Sequence, residues 1–156
     1  MAATIKRIVV DSSVALKWEL RDETPSPEAD TLLENFLAGR LGVAVTTLFD
    51  YEITNVLKLA VVRGRKTEAE AKAALNDFKL YTFQRIDFPP LQELTFQLAL
   101  QHDRSAYDSA YVALAQKIGV WLFTGDRRLF NAVGGALSFV KWIGDYDFEA
   151  VPTASE

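Results

Sequence analysis

The sequence predicts an α/β fold built on a mainly parallel central sheet of four to five strands, and three observations predict it. Short β-branched or apolar runs alternate with helical patterns along the chain. The first run, IKRIVV, stops at Asp11, and Ser12 and Ser13 then stand where a helix starts. The stretch SAYDSAYVALAQKIGVWLFTGDRR over 105–128 reads as helix, glycine turn, buried strand and acidic turn.

Composition sets the outer bounds. At 156 residues, 49% hydrophobic and 24% charged, the chain suits one globular domain, expected over 1–148 with a disordered tail over 149–156. No apolar run approaches the length that spans a bilayer, and the start lacks an apolar region followed by a cleavage site. A soluble cytoplasmic protein with no membrane partner is the expectation. The absence of cysteine excludes disulfides, thiolate metal sites and cysteine nucleophiles. A formal charge of −4 argues against a broad electrostatic nucleic-acid binder, though not against a local basic patch beside an acidic cleft.

Each element has its own signal. Residues 5–10 form the first strand. Residues 24–27 (TPSP) turn the chain, and Ser26 as N-cap with Pro27 behind it opens a helix through Ala38, stopped by Gly39. Residues 43–45 are a second strand. Thr47 and Asp50 have capping-box spacing before a helix to about Val62 that carries Glu52 early. Arg63, Arg65 and Lys66 mark a basic turn. Thr67 and Glu70 repeat the capping-box pattern ahead of a helix to Leu80. Residues 82–86 are a strand, and Pro89 and Pro90 precede a helix to about His102. Ser105 caps the next helix, whose apolar positions are Tyr107, Ala110, Tyr111, Leu114 and Ala115, and Gly119 ends it. Residues 120–123 are a strand, followed by a short helix near Leu129 and a strand over 137–140.

This order gives the acids their meaning. The helix falls roughly 16 Å from Asp108 to Gly119 at about 1.5 Å per residue, and the strand climbs back roughly 20 Å to Asp126. Both carboxylates should therefore share one edge of the sheet. Asp11 after strand one and Glu52 after strand two fall at the same edge, where open α/β sheets bind ligands.

Carboxylates converging without basic partners repel one another, and a divalent cation resolves the conflict. Oxygen-only ligands suit Mg²⁺ or Mn²⁺, which serve phosphodiester cleavage, with Ser13, Asn55 and Thr124 placed to orient them. Each acid also has a structural reading: Asp108 can close a box with Ser105, Glu52 can face a helix dipole, and Asp126 can occupy an ordinary turn. Asp11 resists that reading most. Arg63, Arg65 and Lys66, joined by Lys17, Arg127 and Arg128, form the best basic patch, with a solvated turn as the alternative; the first three are the candidates for holding a nucleic-acid backbone. His102 alone makes a zinc site improbable. Phe49, Tyr51, Trp18 and Trp121 read as core or dimer contacts.

The segments VVDSSVALKW, YEITNVLKLA, YDSAYVALAQKIG and LFTGDRRL resemble, in order and approximate spacing, the PIN-domain nucleases, and specifically the VapC-type toxins of prokaryotic toxin–antitoxin pairs. The resemblance implies a three-layer α/β/α sandwich with Asp11, Glu52, Asp108 and Asp126 as a Mg²⁺ or Mn²⁺ cluster. It implies Ser13 and Thr124 as supporting hydroxyls and Asn55 as the asparagine after the acid. It further implies a dimeric endoribonuclease acting on structured RNA such as tRNA, blocked by a cognate VapB-type antitoxin. The rival expectation is a catalytically silent PIN-like scaffold whose acids only cap helices and which binds RNA or a protein partner.

Overall fold

The computed structural model describes residues 5–21, 25–87 and 89–153. Five strands form one parallel sheet: β1 (Lys6–Val10), β2 (Leu41–Thr46), β3 (Gln84–Ile86), β4 (Trp121–Thr124) and β5 (Val140–Trp142). Their order is β3-β2-β1-β4-β5. Seven helices connect them: α1 (Ser12–Glu19), α2 (Pro27–Leu37), α3 (Phe49–Val62), α4 (Glu68–Leu80), α5 (Pro89–His102), α6 (Ala106–Ile118) and α7 (Arg127–Val133). The expected α/β sandwich is the fold observed.

The side chains of a strand alternate between faces, and the two cores follow that period. Ile8, Val10, Val43, Val45 and Phe123 pack with α1 to α4 on one face. Val9, Ala44 and Leu122 pack with α5, α6 and α7 on the other. Ile8, Val9, Val10 and Leu122 are fully buried, as strands covered on both sides require. Removing apolar area of this kind from water stabilises by about 25 cal/mol per Å². The first core includes a cluster of aromatic rings, with Phe49 edge-on to both Phe78 and Phe83. Trp18 joins it and donates its indole N–H to the Ala29 carbonyl at 2.8 Å.

The sheet order reverses at β1. Connections from β1 lead outward to β2 and β3, and the chain then crosses back through α5 and α6 to β4 on the other side. This switch point opens a crevice beyond the carboxyl ends of β1 and β4. Register aligns Val10 with Phe123, and the Asp11 amide donates to the Phe123 carbonyl.

Most local expectations hold. Ser26 caps α2 through the Ala29 amide, and Thr67 and Glu70 form the full capping box of α4. Gly39 and Gly119 adopt φ of +74° and +70°, the left-handed conformation that ends a helix at little cost for glycine.

Others are corrected. No Thr47–Asp50 box forms: α3 starts at Phe49 behind Leu48, without a side-chain cap. Asp50 instead takes both Nε and Nη2 of Arg85 at 2.6 and 2.7 Å, a bidentate pair stronger than a neutral cap. Pro89 and Pro90 lie within the first turn of α5, where a missing N–H costs nothing. Strands β3, β4 and β5 begin one to three residues later than expected. Tyr107 is 61% exposed rather than packed. The tail expected to be disordered is held through Thr153: residues Phe148–Ala150 form a 3-10 turn, Val151 is buried, and Thr153 bridges antiparallel to Lys6. Residues 154–156, and Thr24 at the start of the expected turn, lie outside the described residues.

Candidate active site

Asp11 is the floor of the crevice. It ends β1 and caps α1, accepting from the Val14 amide at 3.4 Å. Ser13 Oγ donates to its Oδ1, and Thr124 Oγ1 donates to its Oδ2 at 2.5 Å. The two hydroxyls are fixed in turn by β4 and its loop. The Gly125 amide donates to Ser13 Oγ at 2.8 Å, and the Asp126 amide donates to Thr124 Oγ1 at 3.0 Å. Gly125 lets this loop approach closely, because a Cβ there would lie 2.7 Å from Lys17 Cε and 3.4 Å from the Ser13 side chain.

Asp126 follows and caps α7, its Oδ1 accepting from the Arg128 amide at 2.9 Å and the Leu129 amide at 3.4 Å. Glu52 projects from the first turn of α3. Tyr111 of α6 donates its phenol to Glu52 Oε1 at 2.6 Å, and Ser12 Oγ donates to Oε2 at 3.3 Å. Asp108 stands in the first turn of α6, with its amide bonded to Ser105 Oγ at 3.1 Å.

Electrostatics connect the four acids. Burial pushes the Asp11 carboxyl up to about 6, against the hydrogen bonds of Ser13 and Thr124, with the Asp126 charge adding to the rise. Burial also raises Glu52, and the Asp108 charge adds to it. Asp108 is raised by burial and then by Asp126, with Arg104 pulling the other way. Pairwise electrostatics thus link Asp11 with Asp126, Asp126 with Asp108, and Asp108 with Glu52.

Tyr111 is the residue that sequence reasoning missed, since its place on an apolar stripe hid a polar tip. Burial and Glu52 hold its phenol protonated far above the usual range, so it acts as a fixed donor. The Thr46 hydroxyl is close enough to temper that shift, yet it is buried without a hydrogen-bond partner among the described residues.

The remaining candidates lie elsewhere. Asn55 is exposed one turn along α3 and does not bond to the acids. Arg63, Arg65 and Lys66 follow the far end of α3, about 16 Å along the helix axis from Glu52, so they do not join the rim. Lys66 sits instead near Glu19, which burial and Asp77 raise to about 7. Arg127 stacks over Trp142, 3.7 Å from the ring centre. Trp18 and Phe49 are core residues, whereas Tyr51 is exposed.

Within the described residues, no three His, Asp or Glu side chains are drawn together as a ready-made metal site. The donor set nevertheless fits a hard cation. It consists of carboxylate oxygens braced by hydroxyls, and no Lys or Arg forms an ion pair with any of the four among the described residues. A cation would also offset the burial that raises Asp11, Glu52 and Asp108, and the smaller carboxylate repulsion that adds to it.

A parallel five-stranded sheet with this acidic rim at its switch point defines an α/β protein of the PIN class. Residues 8–136 match the PIN domain family, and the chain belongs to it. Among curated relatives, Ribonuclease VapC12 of Mycobacterium tuberculosis is 33% identical over 127 residues, covering 81% of this chain and 92% of that protein. Ribonuclease VapC1 of the same organism is 40% identical over 88 residues, 56% of this chain, and the match spans only 65% of that relative's length. In fold the chain is similar to a toxin–antitoxin complex from Klebsiella pneumoniae, with TM-score 0.58 and 16% identity over 86% of this chain and 95% of that one. Among the described residues, no helix is long and apolar enough to cross a membrane.

Proposed function

We propose that the protein is a Mg²⁺- or Mn²⁺-dependent endoribonuclease, acting in the cytoplasm as the toxin of a toxin–antitoxin pair. The observation that carries this reading is the rim itself: four acids from four chain segments, with the buried Asp11 gripped on both oxygens by Ser13 and Thr124. Asp11, Glu52, Asp108 and Asp126 would hold the cation. When bound, it supplies Lewis acidity for phosphodiester hydrolysis.

The chain's own residues set up that chemistry. Ser13 and Thr124 fix the Asp11 carboxylate plane, and Tyr111 and Ser12 fix Glu52, so little reorganisation remains when substrate arrives. Asp126 is oriented by the amides it caps. Asn55 is exposed one turn after Glu52 on α3, and we assign it to the substrate side because it does not brace the acids. Arg63, Arg65 and Lys66 can contact only RNA that extends beyond the rim, as a structured RNA such as tRNA would.

Ribonuclease relatives and a toxin–antitoxin neighbour support the toxin role and a VapB-type antitoxin as partner, and we extend the reading to a homodimer as the working form. The test is cleavage of a structured RNA by protein freed of contaminating nuclease. Cleavage should require Mg²⁺ or Mn²⁺ and disappear in Asp108→Asn. An equal rate in that variant would refute the mechanism.

A second reading is favoured by the local bonds of the acids. Asp11 and Asp126 cap helices and Glu52 binds Tyr111, so a catalytically silent PIN-like binding module would retain the same contacts. It predicts RNA or partner binding with no metal-dependent cleavage by the wild type.

A further inference from the structure

A cavity of about 490 Å³ opens beside the acidic rim, between the carboxyl ends of β2 and β3 and the first turns of α5 and α6. Thr46 lines it from the end of β2, Leu48 from the position before α3, Asp87 from just beyond β3, Leu91 and Gln92 from α5, and Tyr107 from α6. We propose that this cavity receives one unstacked nucleobase of the RNA substrate, next to the phosphate to be cut. The inference rests on the ribonuclease reading for its substrate and extends it to a base-binding subsite.

Three features select a base. The volume lies within the roughly 300–1,000 Å³ of sites that enclose small ligands. Leu48 and Leu91 offer apolar wall, and Tyr107 adds a ring that is 61% exposed on a folded helix, a stacking platform with no ring partner among the described residues. Asp87 and Gln92 add carboxylate and amide groups suited to the hydrogen-bonding edge of a base. Among the described residues no Lys or Arg lines the cavity, and Asp87 repels anions, so a phosphate is disfavoured there.

Continuity with the rim places the base usefully. Tyr107 immediately precedes Asp108 in the first turn of α6. Thr46 lines the cavity and also neighbours the phenol of Tyr111, which holds Glu52. A nucleotide with its base against Tyr107 therefore has its backbone within reach of both acids. Double-stranded RNA cannot present a base in this way, so the subsite favours single-stranded loops or ends.

The test avoids both metal and cleavage. The metal-free protein is titrated with adenosine, cytidine and uridine while backbone amides are followed by NMR, with ribose as the base-free control. Nucleosides should shift the amides of Leu48, Gln92 and Tyr107 saturably, and ribose should not. Tyr107→Ala should weaken binding about tenfold while Tyr107→Phe retains it, as loss of one stacking contact implies. Equal shifts from ribose, or no saturable shift, would overturn the subsite even if the wild type cuts RNA. Shifts that follow protein concentration instead of nucleoside would also overturn it, marking the face as a contact between copies of the chain. Saturable nucleoside binding by a protein that never cuts RNA would uphold the base site and refute the ribonuclease reading instead.

Discussion

Thr124 Oγ1 donates to Asp11 Oδ2 at 2.5 Å, joining the carboxyl ends of two neighbouring parallel strands inside the crevice. Both residues are buried, so the bond is made out of water, where its loss leaves an acid short of a donor. Thr124→Val keeps the shape and removes that hydroxyl. It should lower RNA cleavage about 10- to 100-fold, the range for losing a group that orients a metal ligand. Thermal unfolding should show about 1–3 kcal/mol of destabilisation, because the Asp126 amide loses its acceptor as well. Retained full activity in this variant would show that the clamp on Asp11 is not needed.

Tyr111→Phe is the matching change at Glu52. The ring remains to fill the core, and only the donor to Oε1 is lost. Stability should fall by about 1 kcal/mol, while cleavage falls at least about tenfold and more metal is needed for half-maximal rate. A loss of stability with unchanged metal dependence would make Tyr111 a packing residue only.

The metal-free protein should lose stability as pH rises through the range in which Asp11 and Glu19 ionise. Folding raises Asp11 from 3.8 to about 6 and Glu19 from 4.5 to about 7. An acid with a raised folded pKa contributes stability that is complete below its unfolded pKa and lost above its folded one. Melting temperatures in chelator should thus decline between about pH 4 and pH 7. Asp11→Asn should flatten the lower part of that decline and stabilise the metal-free fold at pH 7 by about 2 kcal/mol. Glu19→Gln should flatten the upper part. Profiles parallel to the wild type would contradict both assignments.

Neutralising Arg63 and Lys66 together should weaken RNA binding and flatten its salt dependence by up to about 2 in log–log slope. Cleavage of a trinucleotide should stay unchanged, because these residues stand about 16 Å from Glu52 along α3. A matching loss on the short substrate would place them at the rim after all.

The sequence was most readable where local chemistry and tertiary role agree. Gly119 ends α6 as its missing Cβ allows, and Asp11 and Asp126 emerge at strand ends because apolar runs stop there. Reading failed where a distant residue outbid a local one. Asp50 had capping spacing with Thr47, but Arg85, thirty-five positions later, offers two charge-assisted bonds. Tyr111 sat on an apolar stripe, and nothing local reveals that its hydroxyl meets Glu52 across two helices. The basic turn was legible as charge, but its distance from the acids is set by the length of α3 and not by the charges themselves.

The central claim is that the four carboxylates act together on a divalent cation, and melting temperature against Mn²⁺ concentration tests it most directly. A ligand that binds only the native state must stabilise it by RT ln(1 + [L]/Kd), or about 2.7 kcal/mol at a hundredfold excess over Kd. The wild type should melt progressively higher as Mn²⁺ is added, and Asp11→Asn and Asp108→Asn should each lose most of that rise. A flat wild-type curve, or variants that rise as much as the wild type, would contradict the account.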